Sequence, residues 1–241
     1  MMGILERILG GNVLYYPGCM TKFLLKDVEK NYERILRSCG IDFIKLKDLE
    51  VCCGSPVKNA GYVKVFGRLV RKNFQVFKEH SVKKIITNCP ACFHVISQEY
   101  PKFVKGWDIE VEHATVTIWK AMDEGKLKFK KSRKIRVTYH DPCHLGRYSG
   151  IYDEPRNILK ALGYEIVEME FSHENSFCCG GGGGVRANYP ELSKSISLER
   201  IRQAKKTGVK VLVTACPLCY ACLKDVSRGK VKVLEISELL K

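Results

Sequence analysis

The sequence predicts an α/β fold made of two tandem halves related by a pseudo-twofold axis, each with a small parallel sheet flanked by helices. Three observations support this prediction. One pattern of cysteines occurs twice along the chain, strand-like segments end just before several of those cysteines, and helical segments separate the strands. Strands that alternate with helices of this length form βαβ units, in which the strands are parallel.

The repeated pattern consists of a single cysteine, a Cys-Cys-Gly triplet and a Cys-Pro-x-Cys segment. The single cysteine precedes the pair by 33 residues in the first half and by 35 in the second, and the pair precedes the last segment by 36 and by 37. The landmarks are Cys19, Cys52, Cys53, Cys89 and Cys92 in the first half, and Cys143, Cys178, Cys179, Cys216 and Cys219 in the second. Landmarks that recur in one order at nearly equal gaps indicate a duplication.

The predicted strands are short runs of β-branched or aromatic residues, and four of them end just before a cysteine. They span 13–16, 83–87 and 109–112 in the first half, and 135–139, 209–214 and 231–235 in the second. The predicted helices span 27–37, 63–79, 154–162 and 190–206, with a short helix after each Cys-Pro-x-Cys segment and another at the end of each half. Each half is therefore expected to be a Rossmann-like unit.

The boundary between the halves is predicted in a charged segment with few large apolar residues, 126–134. We therefore expect a first half-domain at 1–130 and a second at 131–241. A helical stripe of apolar residues at 1–9 is expected either to cover an edge of the first half or to dock a partner protein.

Four of the repeated cysteines, Cys19, Cys89, Cys143 and Cys216, are expected just beyond the carboxyl end of a strand. Ligands of open α/β sheets bind at that edge, so residues far apart in the sequence converge there. Loop amides and helix N-termini at the same edge favour a negatively charged group. The fold therefore predicts a cysteine-lined site in each half.

The composition is typical of a chain that keeps its thiols reduced. At 45% hydrophobic residues the chain can bury an ordinary core, so its twelve cysteines are not needed as disulfides. We find no secretory signal and no apolar segment long enough to span a bilayer, which predicts a cytoplasmic protein, at most peripheral to a membrane complex. The net charge of +15 comes from scattered lysines, so we expect an anionic small molecule or an acidic protein surface rather than nucleic acid.

Clustered thiolates select zinc, Cu(I) or iron–sulfur clusters. A structural zinc site uses four ligands, commonly from two hairpins with closely spaced cysteines. Each half supplies five cysteines and only one pair at that spacing, which favours a polynuclear iron–sulfur centre. Zinc in at least one half, and thiol redox chemistry without a metal, are the alternatives.

Three further features are interpreted as structural. Cys222 continues the spacing of Cys216 and Cys219, but the fourth cysteine of a ferredoxin motif is missing. Cys222 and Cys39 are therefore expected to be small buried apolar residues. The glycines at 180–184 lack the Gly-Lys-Ser/Thr ending of a phosphate-binding loop, so we expect them to let the backbone wrap closely around a cluster.

The two cysteine blocks resemble the CCG, or cysteine-rich, domains of heterodisulfide reductase, where they occur in its B subunit and in the catalytic part of its D subunit. Related blocks occur in lactate utilisation protein A and in the iron–sulfur subunit of glycolate oxidase. The resemblance covers nearly the whole chain and includes Tyr15-Tyr16-Pro17-Gly18-Cys19 near the start and His140-Asp141-Pro142-Cys143-His144-Leu145-Gly146-Arg147 in the middle.

This resemblance implies a noncubane 4Fe–4S cluster in each half. By position, one cluster would be held by Cys19, Cys52, Cys53, Cys89 and Cys92, and the other by Cys143, Cys178, Cys179, Cys216 and Cys219. It also implies that a disulfide is cleaved between the clusters. Because no ferredoxin segment is found in the chain, electrons are expected from a ferredoxin-type iron–sulfur subunit or a flavoprotein subunit of the same complex.

Polar residues that flank the second cysteine block are candidate catalytic residues: His140, His144 and Arg147, together with Arg186. They are expected to steer an anionic substrate or to supply protons. The alternative is that the histidines hydrogen-bond the cluster loop. Arg147 stands where the first half has Phe23, so the two halves differ at this point.

Three functions of different classes fit the sequence. The first is the catalytic subunit of a disulfide-reducing complex, which is an oxidoreductase. The second is an electron relay in a flavin-linked lactate- or glycolate-type 2-hydroxy-acid dehydrogenase complex. The third is a zinc-stabilised interaction module without enzymatic activity.

Overall fold

The structure, a computed structural model, describes residues 11–129 and 135–240. It contains two parallel sheets, one in each half, and this confirms the predicted α/β fold. The first sheet has the order β1-β2-β3 and the second has the order β5-β4-β6-β7. The strands are β1 (Asn12–Tyr15), β2 (Val82–Thr87), β3 (Glu110–His113), β4 (Arg136–His140), β5 (Glu165–Ile166), β6 (Val211–Thr214) and β7 (Lys232–Glu235).

Helices cover the sheets on the connections between strands. They are α1 (Gly18–Leu24), α2 (Lys26–Ser38), α3 (Ser55–Asn59), α4 (Val63–Glu79), α5 (Pro90–His94), α6 (Ala114–Asp123), α7 (Asp153–Ala161), α8 (Val185–Asn188), α9 (Pro190–Lys206) and α10 (Pro217–Ser227). A π-helical turn, Val95–Glu99, continues α5, and a 3₁₀ turn, Ile236–Leu239, follows β7. Each strand pair is parallel because a helix crosses over between its two strands.

The two sheets correspond strand by strand. β1, β2 and β3 match β4, β6 and β7, and β5 adds an edge strand to the second sheet. The first half has only a single bridge, between Leu14 and Ile44, at the place of β5. The internal repeat of the sequence is therefore a repeat of structure.

Most predicted elements lie close to the observed ones. The helices predicted at 63–79 and 190–206 are α4 and α9, and the strands differ from their predicted bounds by one or two residues. The structure corrects the end of the second half, where a helix was expected and a single 3₁₀ turn is found. A capping box between Glu235 and Glu238 stabilises the start of that turn.

The largest hydrophobic cluster joins the two halves. Side chains from α2 and α6 of the first half pack against β4, α7 and β6 of the second; the buried members include Tyr32, Ile35, Ile118, Val137, Ile158 and Val213. The Tyr32 hydroxyl donates a hydrogen bond of 2.8 Å to the buried carboxylate of Glu235 across the same contact. The halves are thus bound by a shared core.

Two smaller clusters belong to one half each and lie beside the cysteines. One is built around Phe66, Val70 and Ile85, and the other around Leu212 and Leu223. They fix α4 and α9 against their sheets, and these helices in turn hold the cysteine-bearing loops.

The predicted linker begins with a packed residue. Leu127 is buried in the shared core, and its amide donates to the carbonyl of Ala121. Residues 130–134, which complete that segment, and the apolar stripe predicted at 1–9 lie outside the described residues. Within the described part of the chain, no helix has the length and apolar character needed to cross a membrane.

Candidate metal centres

The five cysteines of the first half come together beyond the carboxyl ends of β1 and β2. Hydrogen bonds between thiols link them in the order Cys19, Cys52, Cys53, Cys92 and Cys89. The sulfurs of Cys53 and Cys92 lie 3.2 Å apart although the residues are 39 positions apart in the sequence. The position of each cysteine just after a strand or at a helix start places all five at one rim.

The second half gathers its cysteines in the same way, with one difference. Thiol hydrogen bonds link Cys178, Cys179, Cys219 and Cys216. Cys143 stands beside this group and is affected electrostatically by it, while its sulfur lies 3.4 Å from Nδ1 of His144. The candidate ligands of the second half are thus grouped at the rim, with Cys143 in a looser position.

The Cys-Cys-Gly triplets adopt one local structure in both halves. Gly54 and Gly180 have φ values of +84° and +80°, a left-handed conformation that glycine adopts at little cost. Their amides donate to the sulfur of the first cysteine of the pair, at 3.4 Å for Cys52 and 3.2 Å for Cys178. The glycine therefore turns the chain back so that its N–H group supports a thiolate.

The Cys-Pro-x-Cys segments begin helices in both halves. Cys89 and Cys216 are the N-cap residues of α5 and α10, and a proline follows each of them. Proline suits the first helical position because its missing N–H would have no partner there. Both cysteines of each segment consequently lie in or before the first turn, where helix amides favour negative charge.

The thiols within one group shift one another's pKa. A hydrogen bond from Cys19 lowers the pKa of Cys52 to about 2, and one from Cys179 lowers the pKa of Cys178 to about 6. Hydrogen bonding to a neighbouring thiol, reinforced by burial, raises the pKa of Cys216 well above its usual range. Without added positive charge, such a group cannot ionise completely.

This donor set fits an iron–sulfur centre. All twelve cysteines are free, and those of the two groups are buried or half-buried except Cys19, which is exposed. Iron in a cluster would balance several close thiolates at once, which removes the conflict between them. A side chain at Gly18 would place its Cβ 2.9 Å from the Cys92 sulfur, so the glycine leaves the space beside the thiols open.

The two cysteine groups adjoin each other across the contact between halves. The pKa of Cys89 is lowered by its hydrogen bond with Cys92, and the charge of Cys219 opposes this effect from the other half. The ring of His94 in the first half lies 5.9 Å from that of His144 in the second and 5.4 Å from that of Tyr148. The space between the two groups is therefore bordered by aromatic and imidazole rings.

His140 and His144, both predicted from the sequence, occupy different positions. His140 is buried, and one of its ring nitrogens lies within 4.8 Å of the sulfurs of Cys179 and Cys219. His144 faces the first half through its ring contacts, and burial lowers its pKa. His140 thus contacts the second cysteine group, whereas His144 borders the gap between the groups.

The two predicted arginines also differ. Arg147 is exposed, and its guanidinium donates to the carbonyl oxygens of Glu174 and Ser176, at 3.2 and 2.7 Å, in the loop that leads to Cys178. Arg186 donates to the sulfur of Cys222 at 3.0 Å. Arg147 therefore supports a cysteine loop while part of it faces solvent.

The interpretation of the two remaining cysteines holds for one of them. Cys39 packs in the shared core, as predicted. Cys222 is buried, but it is not an inert apolar residue: its sulfur accepts from Arg186, and a hydrogen bond with Cys179 lowers its pKa. The prediction was wrong because the glycine run, which has no counterpart in the first half, brings Arg186 to this sulfur.

Sequence reasoning missed two polar residues that contact the cysteine loops. Asn73 in α4 donates to the carbonyl of Cys52, and Arg200 in α9 donates to Nδ1 of His140 at 3.0 Å. Both residues are completely buried. An alignment of the two halves at the offset of 127 residues places them at the same position, and this signal was present in the sequence.

The profile of the cysteine-rich domain family, CCG, matches the chain twice, at 13–97 and at 137–224. The chain belongs to this family. Each match covers the strand, the cysteine pair and the Cys-Pro-x-Cys segment of one half, so the family assignment and the structural repeat agree.

Relatives in this family include parts of several redox enzymes. The chain is 36% identical to the EtfAB:quinone oxidoreductase of Syntrophomonas wolfei, over 94% of this chain and 34% of the relative. It is 34% identical to the D subunit of the dihydromethanophenazine:CoB–CoM heterodisulfide reductase of Methanosarcina acetivorans, over 95% of this chain and 57% of the relative. It is 34% identical to the B subunit of the fumarate reductase (CoM/CoB) of Methanothermobacter marburgensis, over 96% of this chain and 46% of the relative.

The chain thus spans between about a third and three-fifths of the length of these relatives. It is related to subunits of iron–sulfur oxidoreductases, and the shared part is the region that carries the two cysteine groups.

Proposed function

We propose that this chain is the part of an oxidoreductase complex that holds one 4Fe–4S cluster of the noncubane type in each half and reduces a disulfide in the gap between them. The observation that carries the proposal is the gathering of thiols in two halves that share one core, with the rings of His94, near Cys92, and His144, next to Cys143, 5.9 Å apart. The likeness to the D subunit of a heterodisulfide reductase supports the same conclusion.

The ligands in this proposal are the ten repeated cysteines. One centre would be bound by Cys19, Cys52, Cys53, Cys89 and Cys92, and the other by Cys143, Cys178, Cys179, Cys216 and Cys219. Iron–sulfur centres supply electrons one at a time, and two of them match a reaction that consumes two. Reduction of a disulfide takes up two electrons and two protons and yields two thiols, with the electrons delivered by a ferredoxin-type or flavoprotein subunit.

The polar residues around the gap bind substrate and move protons in this proposal. His144 lies between the two groups and is kept largely neutral by burial, so it can donate a proton after accepting one from solvent. The cationic Arg147 is exposed next to the second group and attracts an anionic substrate. His140 is too buried to exchange protons with solvent, so it takes no part in this proton transfer.

A second candidate function is electron relay without substrate chemistry in this chain. It is favoured by the relative named EtfAB:quinone oxidoreductase, whose name describes electron transfer between EtfAB and a quinone. In that case the two centres would pass electrons from one half to the other, and the gap would need no substrate site. A relay of this kind in a flavin-linked 2-hydroxy-acid dehydrogenase complex belongs to the same class.

The test begins with iron and acid-labile sulfide in anaerobically purified protein. We expect about four of each per half, and reduction of a small anionic disulfide by the protein when a viologen dye supplies electrons. Two intact centres without any disulfide turnover would favour the relay. One mole of zinc per half and no sulfide would overturn both candidates and leave a zinc-stabilised module.

A further inference from the structure

We propose that Arg200 and His140 form a buried hydrogen-bonded pair that makes the second centre easier to reduce than the first. The inference rests on the proposed function, since it concerns the properties of those centres. It adds a direction: an electron that reaches the chain resides preferentially in the second half.

The hydrogen bond between the two side chains decides which nitrogen of His140 carries a proton. Nε of Arg200 always bears hydrogen, so it is the donor in its 3.0 Å contact with Nδ1 of His140. Nδ1 is therefore the acceptor and carries no proton. The proton of the neutral ring must then be on Nε2.

The protonated Nε2 faces the second cysteine group. Among the described residues it is buried and has no hydrogen-bond partner. One ring nitrogen of His140 lies within 4.8 Å of the sulfurs of Cys219 and Cys179. These sulfurs are the acceptors within reach of this N–H group, and a buried donor left unpaired is unfavourable.

Arg200 also contributes its charge. It is completely buried, and its other partners are neutral: the carbonyl of Phe171 at 2.7 Å, Gln203 Oε1 at 2.8 Å and Ser176 Oγ at 3.0 Å. No carboxylate forms an ion pair with it within residues 11–129 and 135–240. Burial lowers its pKa to about 10, which still leaves it cationic at neutral pH.

The negative charges that act on this cation come from two carboxylates, Asp141 and Glu168, and from two thiols. Asp141 has the largest effect, but its carboxylate already forms a salt bridge of 2.6 Å with Arg156. Glu168, like Asp141, is already paired with Arg156. Cys219 and Cys179 also act on Arg200, and both belong to the second cysteine group. The charge of Arg200 is therefore available to balance the thiolates behind His140.

The first half lacks both members of this hydrogen-bonded pair. Tyr16 stands at the position of His140, and its hydroxyl donates to the carbonyl of Val51 at 2.6 Å. Asn73 stands at the position of Arg200 and donates to the Tyr100 hydroxyl at 2.8 Å. In the described residues, the first cysteine group therefore receives neither an imidazole N–H nor a buried cation from these two positions.

The consequence for electron transfer follows from the charge that a cluster gains on reduction. Hydrogen bonds to cluster sulfurs and nearby positive charge stabilise the reduced form more than the oxidised form, and so raise the reduction potential. Equal ligand sets in the two halves would thus have unequal potentials. Arg200 is a positioning residue here because it touches no cysteine: it fixes the tautomer of His140 and adds its charge from behind that ring.

The decisive measurement is a redox titration of the intact protein, followed by EPR, in wild type and His140→Leu. We expect two one-electron steps, with the second half reduced first. In His140→Leu the equilibrium constant for electron transfer from the first to the second centre should fall at least tenfold, which corresponds to ~59 mV. Arg200→Met should move the same step in the same direction, and Tyr16→Phe, the matched control in the first half, should move neither. Reduction of the first half before the second in wild type would overturn the inference.

A second measurement keeps the inference testable if those variants fold poorly. ¹⁵N NMR of selectively labelled histidine, recorded on the purified full chain whatever its metal content, reports the tautomer of His140. Protonation of Nε2 supports the proposed role of the Arg200–His140 pair. Protonation of Nδ1, or strong ¹⁵N hyperfine coupling that marks His140 as an iron ligand, would overturn it. Iron and sulfide analysis of the same sample tests the proposed function separately.

Discussion

The two halves of this chain place their cysteines alike and surround them differently. In both, a glycine amide supports the first sulfur of the cysteine pair and a proline follows the cysteine that caps a helix. Behind the cysteines, the first half has the neutral pair Tyr16 and Asn73, whereas the second has His140 and the buried cation Arg200.

This difference shows which features the ligand geometry demands. Strand ends, the left-handed glycine and the capping cysteine are set by the backbone, and they recur in both halves. The side chains that pack behind the sulfurs are not fixed by that geometry. A duplicated chain can therefore keep two similar ligand sets and still assign them different tasks.

The largest effect is expected from removing one ligand in either half. Cys53→Ser should remove the centre of the first half, and Cys179→Ser that of the second, because each sulfur is buried in the middle of its thiol chain. Iron and sulfide should fall by about half in each variant. If a single change released all the iron, the two cysteine groups would have to form one shared site, and the comparison of separate halves would fail.

The next effect concerns the glycines of the two triplets. Gly180→Ala should destabilise the protein by about 3 kcal/mol, from the left-handed backbone and from a Cβ that would lie 2.4 Å from the Ser193 carbonyl oxygen. Gly54→Ala should cost somewhat less, about 2 kcal/mol, because its Cβ would lie 2.6 Å from the Phe66 ring, a side chain that yields more easily than the backbone carbonyl at Gly180. Denaturant unfolding measures both.

Gly61→Ala is the matched control for this pair. Gly61 has the same left-handed backbone, at φ +85°, but nothing lies within 4 Å of an added Cβ. The loss of unfolding free energy in Gly61→Ala therefore measures the cost of the left-handed backbone without a steric clash. A larger loss from Gly54→Ala than from Gly180→Ala would contradict the contacts described here.

Two buried caps at equivalent strand ends should respond to pH in opposite directions. Burial lowers the pKa of His113 to about 3, so its contribution to stability is present above pH 6.5 and is lost as the pH falls. Burial raises the pKa of Glu235 to about 7, so its contribution is present at low pH and is lost as the pH rises from 4.5 to 7. Each change amounts to roughly 2 kcal/mol between pH 5 and 7.

In the wild-type protein these two residues together should therefore change the free energy of unfolding little between pH 5 and 7, because their contributions offset each other. As the pH rises from 5 to 7, Glu235→Gln should become more stable relative to wild type, and His113→Asn should become less stable relative to wild type. Unfolding free energies at several pH values measure both slopes. Parallel slopes in the two variants would refute the opposite behaviour.

The smallest effect tests the asymmetry at Arg147. Arg147→Met should raise the KM for an anionic disulfide about tenfold, the loss expected for one charge-assisted contact, without loss of iron. Phe23→Met, at the equivalent position of the first half, should leave the KM unchanged. Release of iron from Arg147→Met would instead assign this side chain to holding the loop before Cys178.

The architecture could be predicted well because the repeat supplied two examples of most elements. The helices at 63–79 and 190–206 match α4 and α9, since long amphipathic patterns leave little freedom. β5 was missed because two residues carry no periodic signal. α1 was missed because it starts at Gly18, a residue with low helix propensity, and only tertiary contacts place a helix there.

The grouping of the cysteines and a role for His140 beside them could be predicted, whereas Arg200 and Asn73 were missed. A buried arginine in an amphipathic helix is indistinguishable from an exposed one by pattern alone, so Arg200 was overlooked. The pairing of Cys222 with Arg186 depends on the path of a glycine-rich loop, whose conformation no propensity determines. The ligand assignments and the half-domain limits at 1–130 and 131–241 remain predictions.

The shared core, with its buried Tyr32–Glu235 hydrogen bond, has a consequence for how any substrate reaches the cysteines. Two lobes joined by a loose hinge could close over a molecule, but lobes fused by interlocking side chains cannot swing apart. In the proposed function, the separation between the two centres would then be constant throughout turnover. Under the proposed function, a substrate would have to fit the distance between the cysteine groups as it stands, because the two halves do not close around it.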